Sequence, residues 1–407
     1  MTTRRALLGA LLAMAIGAAL IFGTARAGTY DAGADDRTIK IGNLMPYSGP
    51  ASAYGLIGKT IGAYFDKVNE EGGVNGRRIV FLSYDDGYSP PKAVEQARRL
   101  VESDEVLLIF QSLGTPNSVA IRRYLNGRKV PQLFVSAGAT QFGDPKAFPW
   151  TMGWHPDYQS EGRVYARYIL EHHPAGKIGV LYQNDDYGKD YLKGLREGLG
   201  DRASMIVAAL PYETADPTVD SQIVSLQARG ADVFFNVATP KFAAQAIRKA
   251  AELGWKPVHF LNNVSNSVGS VLKPAGLEAA AGILSTGYLK DPTDPAWEDD
   301  AAYKEWLAFM TRYMPDGDRT SSFTVYGYSV AQSLVRVLMQ CGDDLTRANV
   351  MKQAASLKDV ELGMALPGIR MNTSATDYFP LEELQMQRFD GTRWRSFGPV
   401  ISGALRN

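Results

Sequence analysis

Ile39-Lys40-Ile41-Gly42-Asn43-Leu44 reads as a short buried strand. It opens directly into Pro46-Tyr47-Ser48-Gly49-Pro50-Ala51-Ser52-Ala53-Tyr54-Gly55, a loop of small and polar residues entering a helix. A strand handing over to a helix in this way is the repeating unit of a parallel sheet. The unit recurs. Ile79–Tyr84, Val106–Phe110 and Gln132–Val135 are further buried runs. Between them lie helical spacings such as Val94, Ala97 and Val101, introduced by the helix start Ser89-Pro90-Pro91. After Trp154 the pattern restarts with Lys177–Tyr182, Ser204–Ala209, Asp232–Val237 and Val258–Leu261. Its helical stripes are Val219, Ile223, Leu226 and then Phe242, Ala246, Lys249, the lysine through its aliphatic stem. Two doubly wound α/β lobes of similar size are therefore expected in succession. From Thr286 the texture changes to a loop at Asp291–Pro295, helices over Trp297–Met314 and Ser321–Met339, and a β-like tail from Gly368 to Ser402. That tail is too small for a third domain and is expected to complete the first two.

The 407 residues balance 43 Lys+Arg against 43 Asp+Glu and are 45% hydrophobic, which excludes disorder and gives nucleic acid or anionic lipid no basic block to meet. A single cysteine, Cys341, rules out an internal disulfide framework and a cysteine metal cluster. Arg4 and Arg5 precede the apolar run Ala6–Phe22, and Ala25-Arg26-Ala27 follows as a small-x-small cleavage pattern. Residues 1–27 are thus expected to be a cleaved signal peptide, the apolar run being at the short edge of what spans a bilayer. Thr3-Arg4-Arg5-Ala6-Leu7-Leu8 also suits twin-arginine export, so the general secretory and twin-arginine routes both stay open.

The chain offers little for catalysis. His172-His173 has no third metal ligand nearby and suits a helix C-terminus, where positive charge is favoured. Asp85-Asp86 and Asp185-Asp186 each follow a strand, but neighbours on extended chain point to opposite faces and cannot face each other as acid and base. Turning the chain and capping the next helix is their expected work. No catalytic residue, metal site or cofactor is assigned.

Binding is better served. In open α/β sheets ligands sit beyond the carboxyl ends of the strands. Those ends lead here into the Pro46–Gly55 loop, into Gln111-Ser112-Leu113-Gly114-Thr115-Pro116-Asn117, and into Ser136-Ala137-Gly138-Ala139-Thr140. Small residues let a ligand approach the backbone, and free N–H groups at helix starts favour an anion such as a carboxylate.

Ser48-Gly49-Pro50, Tyr54-Gly55, Glu71-Gly72-Gly73-Val74-Asn75-Gly76, Tyr84-Asp85-Asp86, Ser136–Thr140, Asn184-Asp185-Asp186-Tyr187-Gly188 and Ala250–Gly254, in this order, resemble the branched-chain-amino-acid-type solute-binding proteins of ABC importers. The resemblance runs from about Ile39 to Ile401. It implies a type I periplasmic binding protein: two Rossmann-like lobes joined by three crossings, closing on a ligand and serving a permease of the inner membrane. By that reading 38–155 with 286–357 forms the first lobe, and 156–285 with 358–405 the second. A receptor of this kind needs no partner subunit, so a monomer working in the periplasm is expected.

The family grips a ligand carboxylate after the third and fourth strands of the first lobe. Matching positions are Leu113, Gly114 and Thr115, then Ala137, Gly138 and Thr140. Tyr54 matches an aromatic that covers the ligand, Tyr187 a second-lobe tyrosine, and Thr239 the position of another. Amino-acid binders pair the ligand ammonium with a glutamate, but Val264 stands there, flanked by Asn262, Asn263, Ser265 and Asn266. A buried ammonium without an anion costs several kcal/mol. The expected ligand is therefore an organic acid lacking an α-ammonium, with Tyr54, Phe142, Trp150, Trp154, Tyr158 and Tyr187 as candidate flat walls for an aromatic carboxylate. Asp157 or Asp185 in place of the glutamate would restore a branched-chain amino acid. A periplasmic sensor for a membrane receptor and a secreted hydrolase are the competing functions, the last without support.

Overall fold

The computed structural model describes residues 28–404, and the expected signal peptide lies outside them. The first sheet holds β1 (Thr38–Met45), β2 (Arg78–Asp85), β3 (Leu108–Phe110), β4 (Gln132–Val135) and β5 (Thr151–Gly153). All are parallel, in the order β2-β1-β3-β4-β5. Ile39 and Ile41, and Leu44 on the opposite face, are fully buried, because helices cover both sides of the sheet. Those helices include α1 (Gly55–Glu70), α2 (Pro90–Arg98), which opens on two prolines whose missing N–H groups lie in the first turn, and α3 (Thr115–Gly127).

The second sheet holds β6 (Ile178–Gln183), β7 (Ile206–Tyr212), β8 (Val233–Val237), β9 (Val258–Leu261), β10 (Leu284–Gly287), β11 (Glu383–Phe389) and β12 (Trp394–Ser402). Its order is β12-β11-β10-β9-β8-β6-β7, parallel except where β11 and β12 run antiparallel at one edge. Helices α4 (Tyr158–His172), α5 (Asp186–Leu199), α6 (Asp220–Ala228) and α7 (Pro240–Glu252) belong to this lobe. Helices α4 and α5 touch through glycines: a Cβ on Gly194 would lie 2.2 Å from the Gln159 carbonyl oxygen, and one on Gly162 2.7 Å from that of Tyr191.

The chain then returns to the first lobe with α8 (Ala301–Tyr313), α9 (Ser322–Cys341) and α10 (Arg347–Ala354). Helix α9 lies on α1, with Tyr328 edge-on to Tyr64 at 5.1 Å. The lobes are joined at Trp154–Asp157, at Tyr288–Lys290 and again just before β11, the three crossings of a type I periplasmic binding protein.

Several boundaries differ from expectation. Strands β5 and β10 were not anticipated, since Thr151-Met152-Gly153 and Leu284-Ser285-Thr286-Gly287 are short and half polar. Strand β10 carries the second lobe through Gly287, past the expected edge at 286. The helix expected from Trp297 starts at Ala301, where Asp300 accepts the Tyr303 N–H at 2.9 Å as its cap. Residues 358–381, expected with the second lobe, pack on the first. There Ser333 Oγ donates to Met371 Sδ (3.3 Å) and the Tyr378 hydroxyl to the Pro149 carbonyl (3.3 Å). The physical reason is apolar: Met364, Met371 and Leu381 are wholly buried there, so the tail crosses only at about Glu382.

Candidate ligand site between the lobes

The carboxyl ends of both sheets face one cavity, whose space including the open mouth is about 860 Å³. From the first lobe come Tyr54, just ahead of α1, and Leu113, Gly114 and Thr115 at the start of α3. From the second come Tyr187 at the start of α5, Thr239 ahead of α7, and Asn263 and Val264 after β9. These expected residues are brought together. Ala137, Gly138 and Thr140 are not on the wall, and Ser136 stands there instead. Gly138 backs onto the first crossing, where a Cβ would lie 2.6 Å from His155 Cε1. Thr140 faces the other lobe at a separate groove: its N–H donates to Asp190 Oδ2 at 2.8 Å, and its hydroxyl is 2.9 Å from the same oxygen.

Two buried side chains on the wall have polar atoms without a partner. Thr115 is 1% exposed and its Oγ1 makes no hydrogen bond; Asn263 is 8% exposed and its Nδ2 makes none. Buried donors are nearly always paired, so unpaired ones lining a cleft are poised for a ligand. Asn263 is held from behind by Glu161, which accepts its backbone N–H at 2.8 Å and the hydroxyls of Tyr165 and Tyr191 at 2.6 Å each. Burial pushes the Glu161 carboxyl up to about 7, against the downward pull of those donors.

The rest of the wall is aromatic and nearly neutral. Tyr54, Tyr88, Tyr158, Tyr187, Tyr288 and Tyr326 all face the cavity, with Phe323 beside them. Of the other aromatics singled out in the sequence, Phe142, Trp150 and Trp154 are not on the wall. Trp154 donates from Nε1 to Ser333 Oγ at 3.0 Å and packs edge-on behind Tyr326 at 5.0 Å. His155 Nδ1 lies 3.1 Å from the Pro156 carbonyl, and burial takes its pKa down to about 4, so the ring is neutral near pH 7. Lys290 is tied to Asp300 at 2.7 Å and donates to the Gly363 carbonyl at 2.9 Å. Asp185 caps α5 and Asp157 caps α4, so neither lines the cavity. Asp291 does; Oδ1 accepts the Thr293 N–H at 2.9 Å, and burial pushes the carboxyl up to about 6.

Sequence reasoning passed over Tyr88. It follows the Asp85-Asp86 pair, whose turning role is as expected: Asp86 Oδ1 accepts the Tyr88 N–H at 2.9 Å while its Oδ2 accepts Asn117 Nδ2 at 2.7 Å. Tyr88 has φ 60°, a left-handed backbone that a bulky side chain adopts only under strain. Tyr288 and Tyr326 were missed because they arrive from distant crossings and from α9. The lobes meet across the cleft, Tyr54 donating from its hydroxyl to the Val264 carbonyl at 3.0 Å.

Comparison with known proteins agrees with this geometry. The family described as periplasmic binding protein matches residues 38–391. A Leu/Ile/Val-binding protein homolog 1 of Brucella abortus is 25% identical over 329 residues, covering 79% of this chain and 84% of that protein. Among solved structures, a branched-chain amino acid ABC transporter protein from Thermus thermophilus with bound valine superposes with TM-score 0.82 at 14% identity, covering 90% of this chain and 97% of that one. A fatty acid ABC transporter substrate-binding protein from Thermomonospora curvata gives TM-score 0.76 at 23% identity, covering 92% and 95%.

Proposed function

The chain belongs to the periplasmic binding protein family, of the Leu/Ile/Val-binding type, and on that premise we propose that it captures an organic carboxylate without an α-ammonium for an ABC importer. An aromatic acid is the favoured ligand. The observation that carries this reading is the pairing of an unpartnered Thr115 hydroxyl at the start of α3 with a wall of tyrosines and the apolar Val264. A carboxylate at Thr115 meets a hydroxyl donor and the free N–H groups of a helix start. The aromatic rings supply flat apolar walls, and Asn263 Nδ2 offers a donor to a neutral acceptor on the ligand. An ammonium group facing Val264 would be left without an anion. Ligand contacts made from both lobes favour the closed form over the open one, which is the signal a permease reads.

Asp291 favours a second reading. It is an acid on the cavity wall, and with an ammonium beside it the ligand would be a branched-chain amino acid, as the names of the relatives suggest.

A thermal-shift screen of purified protein separates the two, since a ligand well above its Kd raises the melting temperature. Aromatic acids, aliphatic acids, leucine and valine are compared at equal concentration. Shifts with acids alone are expected. A shift with leucine or valine instead would replace this reading with the one built on Asp291.

A further inference from the structure

We propose that Tyr88 is the residue that sets ligand shape beside the carboxylate anchor, a strained aromatic wall that admits unbranched acids and excludes bulk on the carboxylate-bearing carbon. The inference rests on the carboxylate reading of Thr115. Its observations are independent of that reading. Tyr88 lines the cavity and is 7% exposed, and its backbone is held left-handed at φ 60° by the Asp86 carboxylate. Its ring lies against Gly114, the residue before Thr115: a Cβ on Gly114 would come 2.4 Å from Tyr88 Cε2. Gly114 therefore makes room for this ring as well as exposing its own backbone to the cavity. Asp86 also holds Asn117 in the first turn of α3, so one buried carboxylate fixes both the ring and the helix that carries the anchor. Across the cleft, Gln183 Nε2 of the second lobe donates to the Tyr88 hydroxyl at 3.4 Å. The far side of that glutamine accepts the Tyr212 hydroxyl at 3.0 Å, beside Thr239 on the cavity wall.

A turn needing φ near 60° is ordinarily filled by glycine or asparagine, which adopt it at least cost. A tyrosine there keeps a backbone strain that those residues would relieve, as strained residues at binding sites do.

The test uses Tyr88→Asn and Tyr88→Phe in the full mature chain, first without ligand. Tyr88→Asn relieves the left-handed backbone but empties the space of a buried ring, so it is expected to unfold in one cooperative transition a few degrees below the wild type. Loss of cooperative unfolding would make Tyr88 a residue the fold cannot do without and overturn the inference. Binding is then measured by calorimetry with phenylacetate against 2-phenylbutanoate, and hexanoate against 2-ethylhexanoate. Wild type and Tyr88→Phe are expected to favour the unbranched member of each pair. Tyr88→Asn should narrow that preference at least fivefold. An unchanged ratio overturns the proposal. If none of the four acids binds the wild type, the carboxylate reading fails and this inference, which rests on it, falls with it, whereas an unchanged ratio with binding intact overturns the inference alone.

Discussion

At the residue scale the site is built from groups whose needs the protein leaves unmet. Thr115 Oγ1 makes no hydrogen bond in the folded chain, so Thr115→Ala costs the ligand-free protein little beyond a buried methyl. The expected outcome is a melting temperature lowered by no more than a few degrees together with a loss of about 1–3 kcal/mol in affinity for the ligand found by screening, measured by calorimetry. Unchanged affinity would remove Thr115 from the site. Glu161 makes a prediction about pH. Its folded pKa, about 7, is raised above the ordinary 4.5, so its protonated form is favoured by folding. The stability it contributes is complete below the unfolded value and is lost as pH rises through about 7. Relative to Glu161→Gln, the wild type should thus lose melting temperature between about pH 4.5 and about pH 7, and lose no more above that. Part of the slope will remain, because burial pushes Glu382 up to about 7 as well. The buried histidines work on the acid side. His155 and His259, depressed to about 4 and about 3, cost stability only as pH drops below their unfolded value. An identical slope in wild type and variant would clear Glu161 of this role.

At the scale of elements, the long apolar strands were legible because a parallel sheet covered on both faces demands continuous hydrophobic runs. Ile39–Leu44 and Val258–Leu261 announce themselves; β5 and β10, of which Thr151, Gly153, Ser285, Thr286 and Gly287 form the greater part, do not. Those two owe their place to neighbours: β10 is clamped between β9 and the returning β11. The close contact of α4 with α5 was equally hidden, since glycine inside a helical stripe reads as a weakness until a second helix is laid on it. Gly194→Ala is expected to destabilise by about 1–3 kcal/mol through overpacking against the Gln159 backbone, read by chemical denaturation. No loss would mean that the helices separate freely. Helix α5 also carries Asp190, the acceptor for Thr140 across the groove. The resemblance placed Thr140 on the ligand; its actual partner lies on the opposite lobe. Asp190→Ala should weaken ligand binding about tenfold by removing charge-assisted hydrogen bonds of the closed form, measurable by calorimetry. Full affinity would show that this contact does not help hold the lobes together.

For the whole molecule, two lobes and three crossings were legible from the restart of the strand pattern and from motif order. The site was legible only in part. Loops that follow strands directly, such as Leu113–Thr115, could be placed from the sequence. Tyr288 and Tyr326 could not, since they reach the cavity by way of the second crossing and of α9, which returns to the first lobe long after that lobe's strands are complete. The crossings have a mechanical consequence. His155 and the run Gly287–Asp291 form one side of the cavity, beside the crossings, whereas Tyr54 and Val264 meet from opposite lobes. Atoms near a pivot travel little and atoms far from it sweep an arc. If the lobes of this receptor open about the crossings, ligand groups resting by His155 and Tyr288 would find nearly the same surroundings in the open and shut molecule, and would govern how readily a solute is first taken up. Groups reaching toward Tyr54 and Val264 would be gripped only after the arc is completed, and would govern how long it stays.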